Sequence, residues 1–291
     1  MKLSWEPMEI VNRIQRMAAI ASKMVASEVK IGLVSTLGAI HPGHLSLIRS
    51  AREMADLVIV SIFVNRLEFA SEEEYRQFPR DTTRDVDLLR QENVDYVFVP
   101  PENEMYPANY STYVEVQNLG AELTGLPVSL LKGTITGALK LLHITRPTFI
   151  YYGEKDGLQG AVLRKMIRDL NINAEVVIAP VVREASGLAY SGRNSLLNGQ
   201  QLKAAAVFYR SLIAAEKAVS AGETQPKKIL VEIAHLLSTE SLATLDYACI
   251  VNPETVEPTA KIEGTVIIAV GGRVGGISLR DAILIEAPRR T

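Results

Sequence analysis

Two stretches of this chain are apolar at consecutive rather than alternate positions, and that restricts the kind of sheet they can enter. Ile31-Gly-Leu-Val34 and Leu57-Val-Ile-Val-Ser-Ile-Phe-Val64 present apolar, largely β-branched residues to both faces of any strand they form. A strand buried on both faces belongs to a parallel sheet covered by helices on each side. Shorter runs of the same texture follow at residues 94–99, 148–152 and 174–179. Helical patterns lie between them: a charged region over 71–92 broken by Pro79, then 136–145 and 157–171. An amphipathic helix over residues 8–29, interrupted by Arg13, Arg16 and Lys23, precedes the first strand. This βαβαβ order predicts an α/β fold with a Rossmann-like, doubly wound parallel sheet whose ligand cleft lies at the carboxyl ends of the strands.

The texture changes near Asn198. Residues 199–220 and 226–238 read as alanine- and leucine-rich helices, and short strands are expected at 244–251, 264–270 and 282–286. Helices followed by a small antiparallel sheet predict a smaller C-terminal α+β domain, so the expected division is 1–194 and 195–291. Segment 101–135 reads as irregular, with a strand candidate at 113–116.

Composition narrows the function classes. With 31 basic and 33 acidic residues, net charge −2, the chain offers no basic surface for nucleic acid or membrane. Cys249 is the sole cysteine, so no intrachain disulfide can form, and its apolar neighbours make it a core thiol. The opening Met-Lys-Leu-Ser-Trp-Glu-Pro lacks a secretory apolar core, and no uncharged apolar run of about 18 residues occurs. A cytoplasmic enzyme acting on small molecules is expected.

The chemistry concentrates after the first strand. Ser35-Thr-Leu-Gly-Ala-Ile40 forms a small-residue turn, and His41-Pro-Gly-His44 then opens a helix with Leu45, Ile48 and Ala51 at helical spacing. The first-turn N–H groups of a helix lack intrahelical partners, and the dipole adds positive potential, so this geometry suits a phosphate. The chain has only four histidines, two of them in this turn, where each can donate to phosphate oxygens. His-x-Gly-His in a strand–turn–helix context resembles the nucleotidyltransferase signature and implies charge stabilisation at the α-phosphate of ATP. Other stretches leave the predicted sheet at the same edge: Asn65 and Glu68; Glu104-Met-Tyr-Pro107; Gly153-Glu-Lys-Asp156; and Arg183 to Asn194. Each alone reads as an ordinary surface loop. Together they set Lys155, Arg193 and the two histidines on one expected rim, a match for a triphosphate.

Taken along its length, the chain resembles the pantothenate synthetase family, ATP-dependent ligases joining pantoate to β-alanine. The resemblance runs from Ser35–His44 through Ser61-Ile-Phe-Val-Asn65, Phe78-Pro-Arg80, Gly133–Leu141, Tyr152-Gly-Glu-Lys-Asp156, Asp169-Leu-Asn171 and Arg193-Asn194 to Arg273-Val-Gly-Gly276. It implies catalytic roles for His41, His44, Lys155 and Arg193. It implies an ATP pocket that includes Thr36, Leu37, Gly43, Gly153, Asp156, Val182 and Ser191. Asn65, Glu68 and Gln159 fall at the acid or amine pocket. It further implies Mg²⁺ on the β- and γ-phosphates, an acyl-adenylate intermediate, a homodimer, and a C-terminal lid, with residues 70–82 and the Gly271–Gly276 loop as closing segments.

The departures from the family pattern cluster at the acid pocket. Asn-Pro-x-Gln-Phe reads Asn65-Arg-Leu-Glu-Phe69, Arg-Pro-Gly-His-Phe reads Leu126-Pro-Val-Ser-Leu130, and Gln-Gln reads Leu158-Gln159. An ionised Glu68 accepts hydrogen bonds and cannot donate one. Three alternatives stay open on the sequence: a ligase for another acid or amine, a nucleotidyltransferase acting on a phosphorylated alcohol, and a nucleotide-binding homologue without turnover.

Overall fold

The computed structural model describes residues 8–117 and 128–287. The chain forms two compact units: among the described residues one gathers 8–115, Ser129–Tyr152 and Met166–Ala179, the other 116–117, Val128, Gly153–Lys165 and 180–287.

The first unit is a six-stranded parallel sheet in the order β1-β4-β3-β2-β5-β6. Its strands are β1 (Glu9–Val11), β2 (Ile31–Thr36), β3 (Leu57–Ile62), β4 (Tyr96–Phe98), β5 (Phe149–Gly153) and β6 (Glu175–Ala179). All six residues of β3 are buried, as its unbroken apolar run requires. β2 pairs β3 from Ile31↔Leu57 to Thr36↔Ile62, and on its other side pairs β5 at Gly32↔Phe149. The chain therefore winds outward from β2 through β3 to β4, then returns to β5, making β2/β5 the switch point of a Rossmann-like sheet. Helices α1 (Ile14–Ala26), α2 (Pro42–Met54), α3 (Glu72–Gln77), α4 (Thr82–Gln91), α5 (Glu102–Met105), α6 (Val128–Thr145) and α7 (Gly157–Asp169) connect these strands. Ile48 and Ala51 of α2, with Val86 and Leu89 of α4, pack on Val34, Val58, Val60 and Val97 of the sheet.

The opening segment differs from the expected single helix. Glu9–Val11 pairs in parallel with Tyr96–Phe98, and α1 begins only at Ile14, because Ile10 and Val11 extend the sheet edge before helical periodicity takes over. Residues 113–116 form no strand; the Val114 amide donates to Thr136 Oγ1 at 3.0 Å instead. Segment 72–77 is helical and is anchored by Phe69 and Phe78, whose ring centroids lie 5.5 Å apart.

In the second unit, β7 (Ala243–Val251), β8 (Thr265–Val274) and β9 (Ile277–Glu286) form an antiparallel sheet in that order. Helices α8 (Gly199–Ser220) and α9 (Pro226–Ser238) pack on it through Phe208, Leu212, Ile229 and Ile233. Asn198 caps α8 in a reciprocal box with Gln201, and Pro226 occupies the first turn of α9. The expected Gly271–Gly276 loop is a correction: Gly271 to Val274 lie in β8, and only Gly275-Gly276 turns the chain, at φ +57° and +84°. Two successive positive φ values suit a two-residue hairpin turn. Gly271 is in the strand because the Tyr247 ring of β7 fills the space a Cβ would take.

We expect Gly271→Ala to push against that ring and destabilise this unit by about 2 kcal/mol, within the range for overpacking. Urea unfolding should show a lowered midpoint with an unchanged slope; an unchanged midpoint would mean that Tyr247 moves aside freely.

Candidate active site

The first group of candidate residues is built at the end of β2. Thr36 Oγ1 donates to the Ser61 carbonyl at 2.8 Å and accepts from the Gly38 amide at 3.1 Å, tying the turn to β3. Gly38 and Ala39 then both take left-handed backbone, φ +85° and +51°. For Ala39 that conformation costs roughly 1–2 kcal/mol. Asp85, on the first turns of α4 and 1% exposed, holds it: its two oxygens accept from the Ala39 and Ile40 amides, each at 2.8 Å. Burial pushes the Asp85 carboxyl above its ordinary range, while the Ile40 and Ala39 amides pull the other way.

The chain next enters α2 with His41 as N-cap. Its Nδ1 accepts from the Gly43 amide at 3.2 Å, which in the neutral ring places the proton on Nε2. The rings of His41 and His44 stack, centroids 3.8 Å apart and planes inclined by 24°. Thr36, Gly43 and the two histidines are thus brought together on one strand–turn–helix junction, with half-buried Leu37 in the turn.

Asn65 follows β3 and caps a short 3-10 turn, Arg66–Glu68. Its side chain is committed inward. Nδ2 donates to Glu68 Oε1 at 3.0 Å and to the Gly133 carbonyl at 3.2 Å, and Oδ1 accepts from the Leu67 amide at 3.2 Å. α6 reaches this close only through glycine, since a Cβ on Gly133 would collide with the Leu67 backbone. Tyr106 Oη is buried beside the Asn65 amide. Burial, then the nearby Glu68 charge, pushes its phenol upward. The Lys140 ammonium lies over the Tyr106 and Tyr110 rings, 5.4 and 4.6 Å from their centroids. Burial lowers the Lys140 pKa. Side chains of the Leu126-Pro-Val-Ser-Leu130 segment lie outside the described residues.

The remaining candidates belong to the second unit. Gly153 caps the 3-10 turn Glu154–Asp156, whose Glu154 Oε1 accepts from the Leu284 amide of β9 at 2.7 Å. Asp156 receives Lys155 Nζ at 2.6 Å and Arg280 Nε at 2.8 Å on its two oxygens. Burial opposes its ionisation, but the Lys155 and Arg280 charges override this and hold the carboxyl well below the usual carboxylate range. With the Gln159 amide oxygen turned toward Arg280, it accepts from Nη1 at 2.9 Å, and the nitrogen donates to the Asp156 carbonyl at 3.3 Å.

The segment after β6 folds back on itself: the Tyr190 amide donates to the Val182 carbonyl at 3.1 Å, and Arg183 bridges Ala189. Ser191 Oγ accepts from the Arg193 amide at 3.3 Å. Arg183 binds Asp281 through both guanidinium nitrogens, at 2.5 and 3.1 Å, and stacks on Tyr209. Lys155, Ser191, Arg193, Asn194, Arg280 and Asp281 line one cavity.

The family profile for pantoate-beta-alanine ligase matches residues 9–284. The chain belongs to the pantoate–β-alanine ligase family. A pantothenate synthetase from Thermosipho melanesiensis is 43% identical over 279 residues, covering 96% of this chain and 99% of that protein. The crystal structure of pantothenate synthetase from Thermus thermophilus superposes with a TM-score of 0.86 at 35% identity, over 95% of this chain and 99% of the other. A pantoate-beta-alanine ligase from Francisella tularensis, complexed with β,γ-ATP and β-alanine, gives 0.75 at 28% identity, over 95% and 97% of the two chains.

Three residues that shape these ligase-family groups escaped the sequence reading: Asp85, Lys140 and Arg280. Lys140 and Arg280 carry a usable signal, a lone cation in the apolar helix Gly137-Ala-Leu-Lys-Leu-Leu142 and an Arg-Asp pair inside the apolar strand β9. Asp85 carries none beyond lying four residues after a helix-capping aspartate.

Replacing Asp85 by alanine leaves two buried amides unanswered beneath a left-handed turn. The expected loss is about 3 kcal/mol of stability, with Asp85→Asn intermediate because its amide satisfies one N–H and opposes the other. Urea denaturation of both variants tests this ordering; equal stability of all three proteins would show that the turn holds without the carboxylate.

Proposed function

We propose that this protein is an AMP-forming acid–amine ligase that condenses pantoate with β-alanine through a pantoyl adenylate. The observation that carries this is the stacked His41–His44 pair on the N-terminus of α2, at the switch-point strand of a Rossmann-like sheet. It occurs in a chain matched over nearly its whole length by the pantoate–β-alanine ligase profile.

In the first step a pantoate carboxylate oxygen attacks the α-phosphorus of ATP. The new O–P bond forms as the bond to the β-phosphate oxygen breaks, and pyrophosphate leaves. Negative charge builds on the α-phosphate oxygens and on the leaving pyrophosphate. His41 and His44, at the positive end of the α2 dipole, stabilise the former; Lys155, Ser191 and Arg193 hold phosphate oxygens. Thr36, Leu37, Gly43, Gly153, Asp156 and Val182 shape the nucleotide's surroundings. In the second step the neutral amine of β-alanine attacks the acyl carbon, the amide C–N bond forms, one amine proton is released to water, and AMP departs as the C–O bond breaks. No enzyme nucleophile is required.

Mg²⁺ enters with the nucleotide as the substrate MgATP. Among the described residues no group of three or more His, Cys, Asp or Glu side chains could hold a metal ion. An ion carried on the β- and γ-phosphates with its waters needs no such cage. Asn65, through Glu68, and Gln159 serve the acid side of the reaction. The same reading takes residues 195–291 as a lid over a water-sensitive adenylate and the protein as a cytoplasmic homodimer. No described helix is long and apolar enough to cross a membrane. The names of the relatives favour pantoate and β-alanine over another acid–amine pair.

AMP release from ATP and Mg²⁺ tests this directly. We expect AMP with pantoate and β-alanine together, and a Lys155→Ala variant slower by about 10²–10³-fold in kcat, the range for loss of one transition-state donor. AMP with a different acid or amine, and none with pantoate, would replace the proposed substrates. Sedimentation velocity at micromolar concentration checks the dimer.

A further inference from the structure

β9 carries two adjacent charges, Arg280 and Asp281, between Leu279 and the apolar run Ala282-Ile-Leu284. Neighbouring strand residues point to opposite faces, so each charge needs its own explanation. Asp281 is answered by the two-pronged contact with Arg183. Arg280 is not needed to neutralise Asp156, because Lys155 already sits on that carboxylate at 2.6 Å. Of the residues lining the adjoining cavity, Lys155, Arg193 and Arg280 are cationic, and the one anionic side chain, Asp281, is matched by Arg183. A cavity wall that gathers three cationic side chains, with serine and asparagine side chains beside them, has the chemistry of an anion site.

The guanidinium is also held in a fixed direction. Asp156 Oδ1 takes Arg280 Nε at 2.8 Å, and Gln159 takes Nη1 at 2.9 Å once its amide oxygen faces the guanidinium. A planar fork whose orientation is fixed by two such contacts offers its donors in one plane, the geometry suited to a phosphate or carboxylate. Asp156 comes from the turn that carries Lys155, and Gln159 from the first turn of α7, which follows it.

We propose that Arg280, supplied by the C-terminal antiparallel sheet, is a polyphosphate-binding residue that holds MgATP together with Lys155 and Arg193. This rests on the ligase reading above. Asp156 and Gln159 are its positioning residues: Asp156 sets Lys155 and Arg280 side by side, and Gln159 fixes the plane of the guanidinium.

The test uses the full-length protein and two variants, Arg280→Gln and Arg280→Lys, after thermal melting establishes that each is folded. Binding of the Mg²⁺ complex of β,γ-methylene ATP is measured by calorimetry, and adenosine, which carries no phosphate, by competition. Loss of hydrogen bonds to a charged group predicts Arg280→Gln weakening the ATP analogue by about 10- to 100-fold. Arg280→Lys, which keeps the charge and loses the fork, should fall between the two, and adenosine should bind all three proteins within about twofold. ATP-analogue binding within about twofold of wild type in both variants would overturn the proposal. So would a loss of adenosine affinity by the same factor, which marks a structural role. If only Arg280→Lys folds, its ratio of analogue to adenosine affinity decides the matter on the same terms. Should the wild-type protein release no AMP with pantoate and β-alanine, the ligase reading falls, while the analogue-to-adenosine ratio still reports on Arg280.

Discussion

The histidine-bearing part of the first unit depends on one buried carboxylate. Gly38 and Ala39 turn the chain out of β2 in left-handed backbone, and Asp85 takes the two amides that this turn leaves pointing inward. Without those bonds the turn would relax toward ordinary backbone, and His41 would no longer enter α2 at the angle that stacks it on His44. The ionised form of Asp85 is disfavoured by burial and favoured by the two N–H donors. The carboxylate and the turn thus sustain one another: the turn supplies the donors that make a buried charge tolerable, and the charge holds the turn.

The second unit uses the same device with side-chain donors. Asp156 is held ionised by Lys155 and Arg280, and Asp281 is held by Arg183. An isolated cation cluster would splay apart by repulsion. Placing a carboxylate between Lys155 and Arg280 keeps two like charges near each other without neutralising both. The residue types that sequence reasoning assigns to phosphate binding are cations, yet their placement is set by the anions beside them.

What was legible in the sequence follows from range. β2 and β3 could be read because their burial is written in consecutive apolar residues, and α8 and α9 because Asn198 and Pro226 mark their starts. The His-x-Gly-His turn was legible for the same reason, since strand, turn and helix cap are contiguous. β1 was missed because a three-residue edge strand is too short to show a period. Gly271 and Gly272 were read as loop because glycine weakens a strand, whereas here they admit the Tyr247 ring and the Thr244 carbonyl. Asp85 and Arg280 meet their partners across 45 and 124 residues, a separation at which local patterning carries no information.

The pocket around Glu68 shows why identity of a side chain is a poor guide to its role until its hydrogen bonds are placed. Asn65 makes three hydrogen bonds inside the protein, to Glu68, Gly133 and Leu67. Its amide therefore orients the Glu68 carboxylate. An ionised carboxylate accepts and cannot donate, so it complements a ligand that carries a hydroxyl hydrogen, as a hydroxy acid does. The glutamate that sets this chain apart from the family pattern is on these grounds compatible with a hydroxy-acid substrate whose hydroxyl, and not its carboxylate, faces Glu68.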